Sequence, residues 1–514
     1  MHRGSRSRYR AEVVRSSLVC LTGVILVAPL LACENADLHR PPGPSEADET
    51  TSDLWDIPDD DHADDGRDGG RDDGGDDGRD ADGILPGGDG GDEGDDGGGH
   101  PDSPPLYPGD RVHSPINAFV RDNLGSIRGL APDAPADVFM KIGASSTVSQ
   151  HTLHCFANGP VALDVHQATL GASLEFYLQG QAAGTTPFNR VTLAAQSGRT
   201  AGWAISGSPS PIAQEIAALG PAGPSLGLVH YGANDMGMGL TYASALPGYF
   251  ANMSDLLDLL IDQGVVPIVF GISRRLDNAS ADLWVQSYNA VARALAQARA
   301  LPFVDLRYAL EHLPGYGLAG DGLHLESFAG GACILTPEGL GHGYNIRNLI
   351  GLEALDRLHT ALVDQAPVDG EPAPILFGEG TLDSPLEIPG LPFADSRSTV
   401  DAPSLVFDEY YGCESMADES GPENIYRMVL DQTTPIRAIV LDRAGVDIDI
   451  HLLDDTATEA GCIARADTRI ERTLEPGTYY FSLDTYVNGQ GVELSGDYTF
   501  VVLACEPQDT DCLL

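Results

Sequence analysis

Basic side chains are scarce in this chain: 29 Lys and Arg stand against 76 Asp and Glu, a formal charge of −47 over 514 residues. With no basic patch to neutralise phosphates, nucleic acid is excluded as a partner. Metal-ligating patterns are missing too. There is no HExxH, no CxxC and no histidine cluster, so neither a metal nor a cofactor is expected. The one long Asp-rich stretch lacks both EF-hand spacing and a repeated GGxGxDx pattern, through which such carboxylates would hold calcium. No strand-to-helix nucleophile elbow of the G-x-S-x-G kind is read here, which disfavours the fold that carries one.

What is present begins with an export signal. Arg3, Arg6, Arg8, Arg10 and Arg15 precede "SSLVCLTGVILVAPLL", a positive segment followed by an apolar one too short to span a membrane. The segment closes with "LLAC", Leu30 to Cys33, which resembles a bacterial lipobox. That resemblance implies lipidation of Cys33 and anchoring to a bacterial membrane. Glu34 follows the cysteine where an aspartate accompanies inner-membrane retention, so the outer membrane or cell surface is expected.

Cysteine is sparse, with eight in all. The signal removes Cys20 and the anchor would use Cys33. The six others suggest disulfides in an exported chain, although six cysteines allow 15 pairings. Pairing within domains predicts Cys155 with Cys333, Cys413 with Cys462, and Cys505 with Cys512.

Much of the negative charge lies between about Glu46 and Asp102, in runs such as "DDDHADDGRDGGRDDGGDDGRDADG". Such a segment has too little apolar surface to offset its ordering entropy, and its charges repel, so a disordered, extended tether is expected. The predicted organisation is a signal over 1–33, an acidic linker over 34–110, a first folded domain over 111–365, a linker over 366–376 and a second domain over 377–514.

In the first domain, "DVFMKIG", "SLGLVHYG", "VVPIVFGIS" and "LPFVDLR" read as buried strands. Helical spacing appears in "GYFANMSDLLDLLIDQG", "ADLWVQSYNAVARALAQARAL" and "NLIGLEALDRLHTALV". Strands buried on both faces, alternating with helices, predict an α/β fold: a three-layer α/β/α sandwich with a parallel sheet. The second domain changes period. "IYRMVL", "IRAIVLD", "VDIDIHLLD", "TRIERTL", "GTYYFSLDTY" and "DYTFVVLAC" are short runs between turn residues, which predict a small antiparallel β-sandwich. "LEPGTYYFSLDTY" with "VDIDIHLLDD" resembles the bacterial pre-peptidase C-terminal domain.

Reactive groups of α/β sheets gather beyond the carboxyl ends of the strands. After "DVFMKIG" comes Ser145. After "RVTLAAQ" come Ser197 and Gly198, after "SLGLVHYG" comes Asn234, and beyond the last strand lie Asp321 and His324. The blocks "IGASST", "QSGRT", "GAND" and "DGLH", in that order, resemble the SGNH (GDSL-like) hydrolase family. The resemblance spans about Asp137 to Ala361. It implies an ester hydrolase working through an acyl-enzyme, without cofactor: Ser145 as nucleophile, His324 as base, and Asp321 orienting the imidazole. The oxyanion donors it implies are the Ser145 and Gly198 N–H groups and the Asn234 amide. A histidine, with an ordinary pKa of ~6.5, suits proton transfer near neutrality.

One departure is visible: the family's Gly-Asp-Ser reads Gly143-Ala144-Ser145, which removes a local hydrogen-bond anchor and leaves Ser146 as an alternative nucleophile. His230 is expected to be a satisfied core residue, and Arg274 and Arg275 to lie in a solvated loop or to meet an anionic substrate. The expected substrate is a small-molecule or polysaccharide ester, O-acetyl or short acyl, and the expected state a monomer. The alternatives are a non-catalytic carbohydrate- or surface-binding lipoprotein with a decayed site, and an acyltransferase on the same fold.

Overall fold

The computed structural model describes residues 104–369, 372–414 and 417–513. The expected export signal, Cys33 and the acidic segment up to residue 103 lie outside them. Four parallel strands form the first sheet, β1 (Phe139–Gly143), β2 (Leu226–His230), β3 (Val266–Phe270) and β4 (Phe303–Val304), paired in that order. These are the four apolar runs of the sequence. "RVTLAAQ" is not a fifth strand. Val191 and Leu193 point to solvent, and the segment makes only a single bridge, Ala195 to Gly143.

The helices of this region include α1 (Ala118–Gly129), α2 (Ser145–Val148), α3 (Gln167–Gln179), α4 (Tyr242–Asp262), α5 (Ala279–Ala298) and α6 (Gly343–Leu358). Alternation along the strands assigns their faces. Gly227 of β2 lies beside Ile142 and Leu260, the latter from α4, while Lys141 and Leu228 share a cavity with Arg347 and Gly351 of α6. The sheet is therefore covered on both sides. Helix α4 starts earlier than its apolar spacing suggests, at a Thr241/Ser244 capping box, with Pro247 tolerated in its early turns.

Apart from a short parallel pair, Val161–Ala162 with Cys333–Ile334, the remaining strands are β5 (Leu386–Ile388), β6 (Phe393–Ser398), β7 (Asn424–Leu430), β8 (Thr434–Asp442), β9 (Ile448–Leu453), β10 (Cys462–Ala466), β11 (Arg469–Leu474), β12 (Gly477–Thr485) and β13 (Asp497–Ala504). They build two facing sheets, β11-β8-β13-β6 and β10-β9-β12-β7-β5. The sandwich is not wholly antiparallel, because the edge pair β5 and β7 runs parallel. The short β5 and the polar "FADSRS" of β6 carry little strand signal, and neither they nor β10 stood out from the sequence.

The two regions share a core. Strand β13 is buried on both faces: Tyr498, Phe500 and Val502 enter the sandwich core, while Val501 and Leu503 join the core of the α/β region. Strand β8 divides in the same way, with Ile436, Ala438 and Val440 inside and Ile439 and Leu441 outside. The outer faces of β13 and β6 pack on α5, which Arg437 of β8 also reaches, and this explains why Ser287 to Ala296 are all buried although only one helix face meets the parallel sheet. Leu106 and Tyr107 are buried here as well, with Leu106 N–H donating to Pro374 O at 2.7 Å. An acidic linker running to residue 110 is thus too long at its end, where "PPLYPG" supplies an apolar pair that docks. Asp369, in the segment expected to be a linker, accepts from Arg357 at 2.8 and 2.9 Å and from Ile116 N–H at 2.6 Å.

Candidate active site

Strand β1 ends at Gly143, and a side chain there has no room. An ideal Cβ would lie 2.2 Å from Thr147 Oγ1 and 2.8 Å from His230 O. The chain turns through Ala144 directly into α2, so Ser145 stands at the strand's carboxyl end with its hydroxyl in a cavity of ≈ 40 Å³. Ser145, Asn234, His324, His230, Ile272 and Leu323 are among its walls. A larger cavity of ≈ 310 Å³, between Leu106–Arg111 and Pro389–Ala394, holds none of the candidate catalytic residues.

His324 Nε2 lies 2.9 Å from Ser145 Oγ, and His324 Nδ1 lies 2.7 Å from Asp321 Oδ2. The other oxygen of Asp321 accepts from the N–H groups of Leu323 and His324, both at 3.0 Å. Partial burial raises the Asp321 pKa, but the hydrogen bonds from the His324 ring and these two N–H groups outweigh it and hold the carboxyl below its ordinary range. Ser146 shares the cavity, but the imidazole bonds to Ser145.

Asn234 Nδ2 donates to Arg199 O at 3.0 Å, which leaves its second N–H to face the cavity's contents. Gly198 is not part of the cavity wall. It occupies the turn between Gln196 and Arg199 with φ of 76°, a conformation natural to glycine. Gln196 N–H donates to Gly143 O at 3.1 Å, which fastens this turn to the end of β1. Asp235, whose role the sequence did not reveal, joins the loops: it accepts from Ala201 N–H at 2.9 Å and Gly232 N–H at 3.0 Å.

Burial raises the Asp235 pKa to about 6, against the lowering effect of those N–H donors. A folded-state pKa above the unfolded one stabilises the fold fully below the unfolded value of 3.8, and that contribution is lost as pH rises toward about 6. A difference of about two corresponds to about 3 kcal/mol. The stability of the natural chain minus that of Asp235→Asn should fall by roughly that amount between about pH 3 and pH 7 in denaturant titrations. A constant difference would refute the assignment.

All three expected disulfides are present, Cys155–Cys333, Cys413–Cys462 and Cys505–Cys512. The first ties the loop that follows Ser145 to the loop that follows His324. Asn348 of α6 braces the same two loops, donating to His151 O at 2.8 Å and Ala332 O at 3.0 Å and accepting from Leu153 N–H at 2.8 Å.

Three expectations require correction. Arg274 pairs with Asp282 and Glu506, while Arg275 pairs with Asp277 and donates to Ala233 O at 2.7 Å; the arginines are neither solvated nor offered to a substrate. His230 is only half satisfied: it has a hydrogen bond with the Gly271 backbone, but its Nε2 is buried without a partner. Gly223 to Gly227 does spell G-x-S-x-G, yet Ser225 precedes its strand, is buried, and donates to Val138 O at 3.0 Å, so it is no nucleophile elbow. Among the described residues the only potential ligand triad is Cys505, Asp509 and Cys512, and both of its sulfurs are engaged in a disulfide.

Residues 164–327 match the family model for the GDSL-like Lipase/Acylhydrolase family. They form a GDSL-like acylhydrolase domain, and the chain is an ester hydrolase. The match to this acylhydrolase family includes Gly198, Asn234, Asp321 and His324 and begins after Ser145, beyond the block where alanine replaces the family's aspartate. No curated protein matches the chain. Among solved structures, a GDSL-like lipase from Bacteroides thetaiotaomicron is 16% identical over 46% of this chain and 97% of its own, with a TM-score of 0.27. An acetylxylan esterase from Geobacillus stearothermophilus is 16% identical over 43% and 95%, with a TM-score of 0.28. The pre-peptidase C-terminal domain of a Bacillus anthracis collagenase is 18% identical over 23% and 91%, with a TM-score of 0.16.

Proposed function

We propose that this chain is an exported, lipid-anchored serine esterase that removes O-acetyl or other short acyl groups from a carbohydrate ester. The observation that carries the reading is the continuous line from Ser145 Oγ to His324 Nε2 at 2.9 Å and from His324 Nδ1 to Asp321 at 2.7 Å. In this mechanism His324 takes the hydroxyl proton as Ser145 Oγ bonds to the ester carbonyl carbon. Asp321 accepts from Nδ1–H, fixes the tautomer and stabilises the imidazolium. The tetrahedral oxyanion is met by Ser145 N–H, Gly198 N–H and Asn234 Nδ2. Collapse expels the alcohol, which receives its proton from His324. Water, activated by the same imidazole, then releases the acid and restores Ser145.

The small cavity supports a short acyl group: ≈ 40 Å³ is far below the roughly 300–1,000 Å³ of sites that enclose larger ligands. The arginine-led apolar N-terminus, "LLAC" and six cysteines in three disulfides support export and anchoring through Cys33. A fluorophosphonate probe with peptide mass spectrometry tests the reading. An adduct on Ser145 that disappears in His324→Ala is expected, with acetate released from acetylated xylan or a bacterial glycan and lipid found on Cys33. Absence of an adduct would overturn the serine mechanism, activity confined to long-chain lipids would overturn the substrate, and an unlipidated Cys33 would overturn the anchor.

A further inference from the structure

Lys141 is the only lysine among the 514 residues; the other 28 basic side chains are arginine. A chain that uses arginine everywhere else places its one lysine in the middle of β1, 2% exposed, two positions before Gly143. Lys141 Nζ donates to Phe188 O at 2.7 Å and to His154 Nε2 at 2.9 Å, which leaves the third of its three donors.

Behind the serine, between the sheet and α6, lies a second cavity of ≈ 20 Å³ walled by Lys141, Thr147, Leu228, His230, Phe270 and Arg347, among others. About 10–15 Å³ is the room one water needs. Arg347 is 6% exposed, Nη2 reaches only Thr147 Oγ1, at 3.4 Å, and Nη1 is buried without a partner. Among the described residues no carboxylate pairs with Lys141 or Arg347. Glu215, whose field reaches Lys141, is already held by Arg190 at 3.0 Å twice and by Leu193 N–H at 2.8 Å. Two buried cations with spare donors and no counter-charge are costly in a protein interior.

We propose that this chamber binds one small monovalent anion of halide size between Arg347 and Lys141. The other titratable group that lines it is His230 from β2; His154 meets it only through Lys141, from whose Nζ it accepts. Burial, then the neighbouring cation, lowers both their pKa values, Arg347 acting on His230 and Lys141 on His154. Without a counter-ion the cations suffer too: burial brings Arg347 down to about 10 and Lys141 to about 7. An anion offsets that loss. It also strengthens the link from α6 through Arg347 to Thr147, and hence to the short helix that begins with Ser145.

Bromide is the probe. Crystals of the full chain grown in sodium bromide should show an anomalous peak in the chamber beside Arg347 Nη1. Thermal unfolding in bromide should have a higher midpoint than in sodium gluconate at equal ionic strength, the folded-to-unfolded ratio rising about hundredfold at 100 times the dissociation constant. Arg347→Met should lose the difference. Density of water height with no anomalous signal, or equal midpoints in the two salts, overturns the proposal. Should Arg347→Met fail to fold, the peak in the natural chain decides alone.

Discussion

Ser145→Ala is expected to lower kcat/KM for p-nitrophenyl acetate by about 10⁴- to 10⁶-fold, the range for serine hydrolases stripped of their nucleophile. Its stability should stay within about 1 kcal/mol, because Ser145 is only partly buried and begins a helix whose capping bonds run through the backbone. Some rate over water should survive, since oxyanion donors and binding act without the hydroxyl. Ser146→Ala is the control. Its hydroxyl shares the cavity, but the imidazole nitrogen lies against Ser145, so less than about a tenfold loss is expected, below 1.4 kcal/mol of barrier. If Ser146→Ala abolished hydrolysis and Ser145→Ala spared it, the alternative nucleophile would be right. If neither mattered, the chain would not hydrolyse esters through this site.

The second large effect concerns stability. Arg437 of β8 is 2% exposed, stacks 3.8 Å above the Trp284 ring of α5, and donates to Glu471 at 2.6 Å and Asp509 at 2.8 Å. Arg437→Ala leaves the nearly buried carboxylates of Glu471 and Asp509 without this cation and opens a hole against the indole. Removing one member of a buried ion pair typically costs about 3–5 kcal/mol. At about 2–4 °C per kcal/mol for chains of a few hundred residues, the unfolding midpoint should fall by roughly 6–20 °C. Arg437→Lys should lose less, since it keeps a charge but not the planar two-carboxylate fork or the stacking. A loss below about 1 kcal/mol in Arg437→Ala would mean that the sandwich is held to α5 by its apolar strands alone.

The candidate site was legible because its residues follow strand ends. "IGASST" and "GAND" carry their reactive groups just past β1 and β2, where a parallel sheet places them, while "QSGRT" follows a loop fastened to the end of β1 and "DGLH" lies farther on after β4; the structure brings Ser145, Asn234 and His324 to one cavity with Asp321 behind the imidazole. The disulfides followed from pairing within domains. Asp235 was less legible, because an aspartate beside Asn234 gives no sign of the N–H groups from other loops that it will accept. Lys141 and Arg347 were hidden for a related reason. A charged residue in a strand or helix reads as a solvated position unless its surroundings are known, and theirs come from segments about two hundred residues apart.

The strand β13 shows the same division between local and distant information. "DYTFVVLA" is apolar without alternation, the pattern of a strand covered on both faces. The sequence pattern predicts it as one strand of a small antiparallel sandwich, and what covers its second face is α5, distant in sequence. The sequence by itself determined the α/β class, the β-rich second region and the order of the reactive blocks, since each depends on periodicity, spacing or strand-end position. Only the tertiary structure decided that α5 lies between two cores, that Arg437 and Glu506 bind the sandwich to the acylhydrolase domain, and that two cations face each other behind the nucleophile. Those features arise where chain segments far apart in sequence meet, and local periodicity carries no information about such meetings.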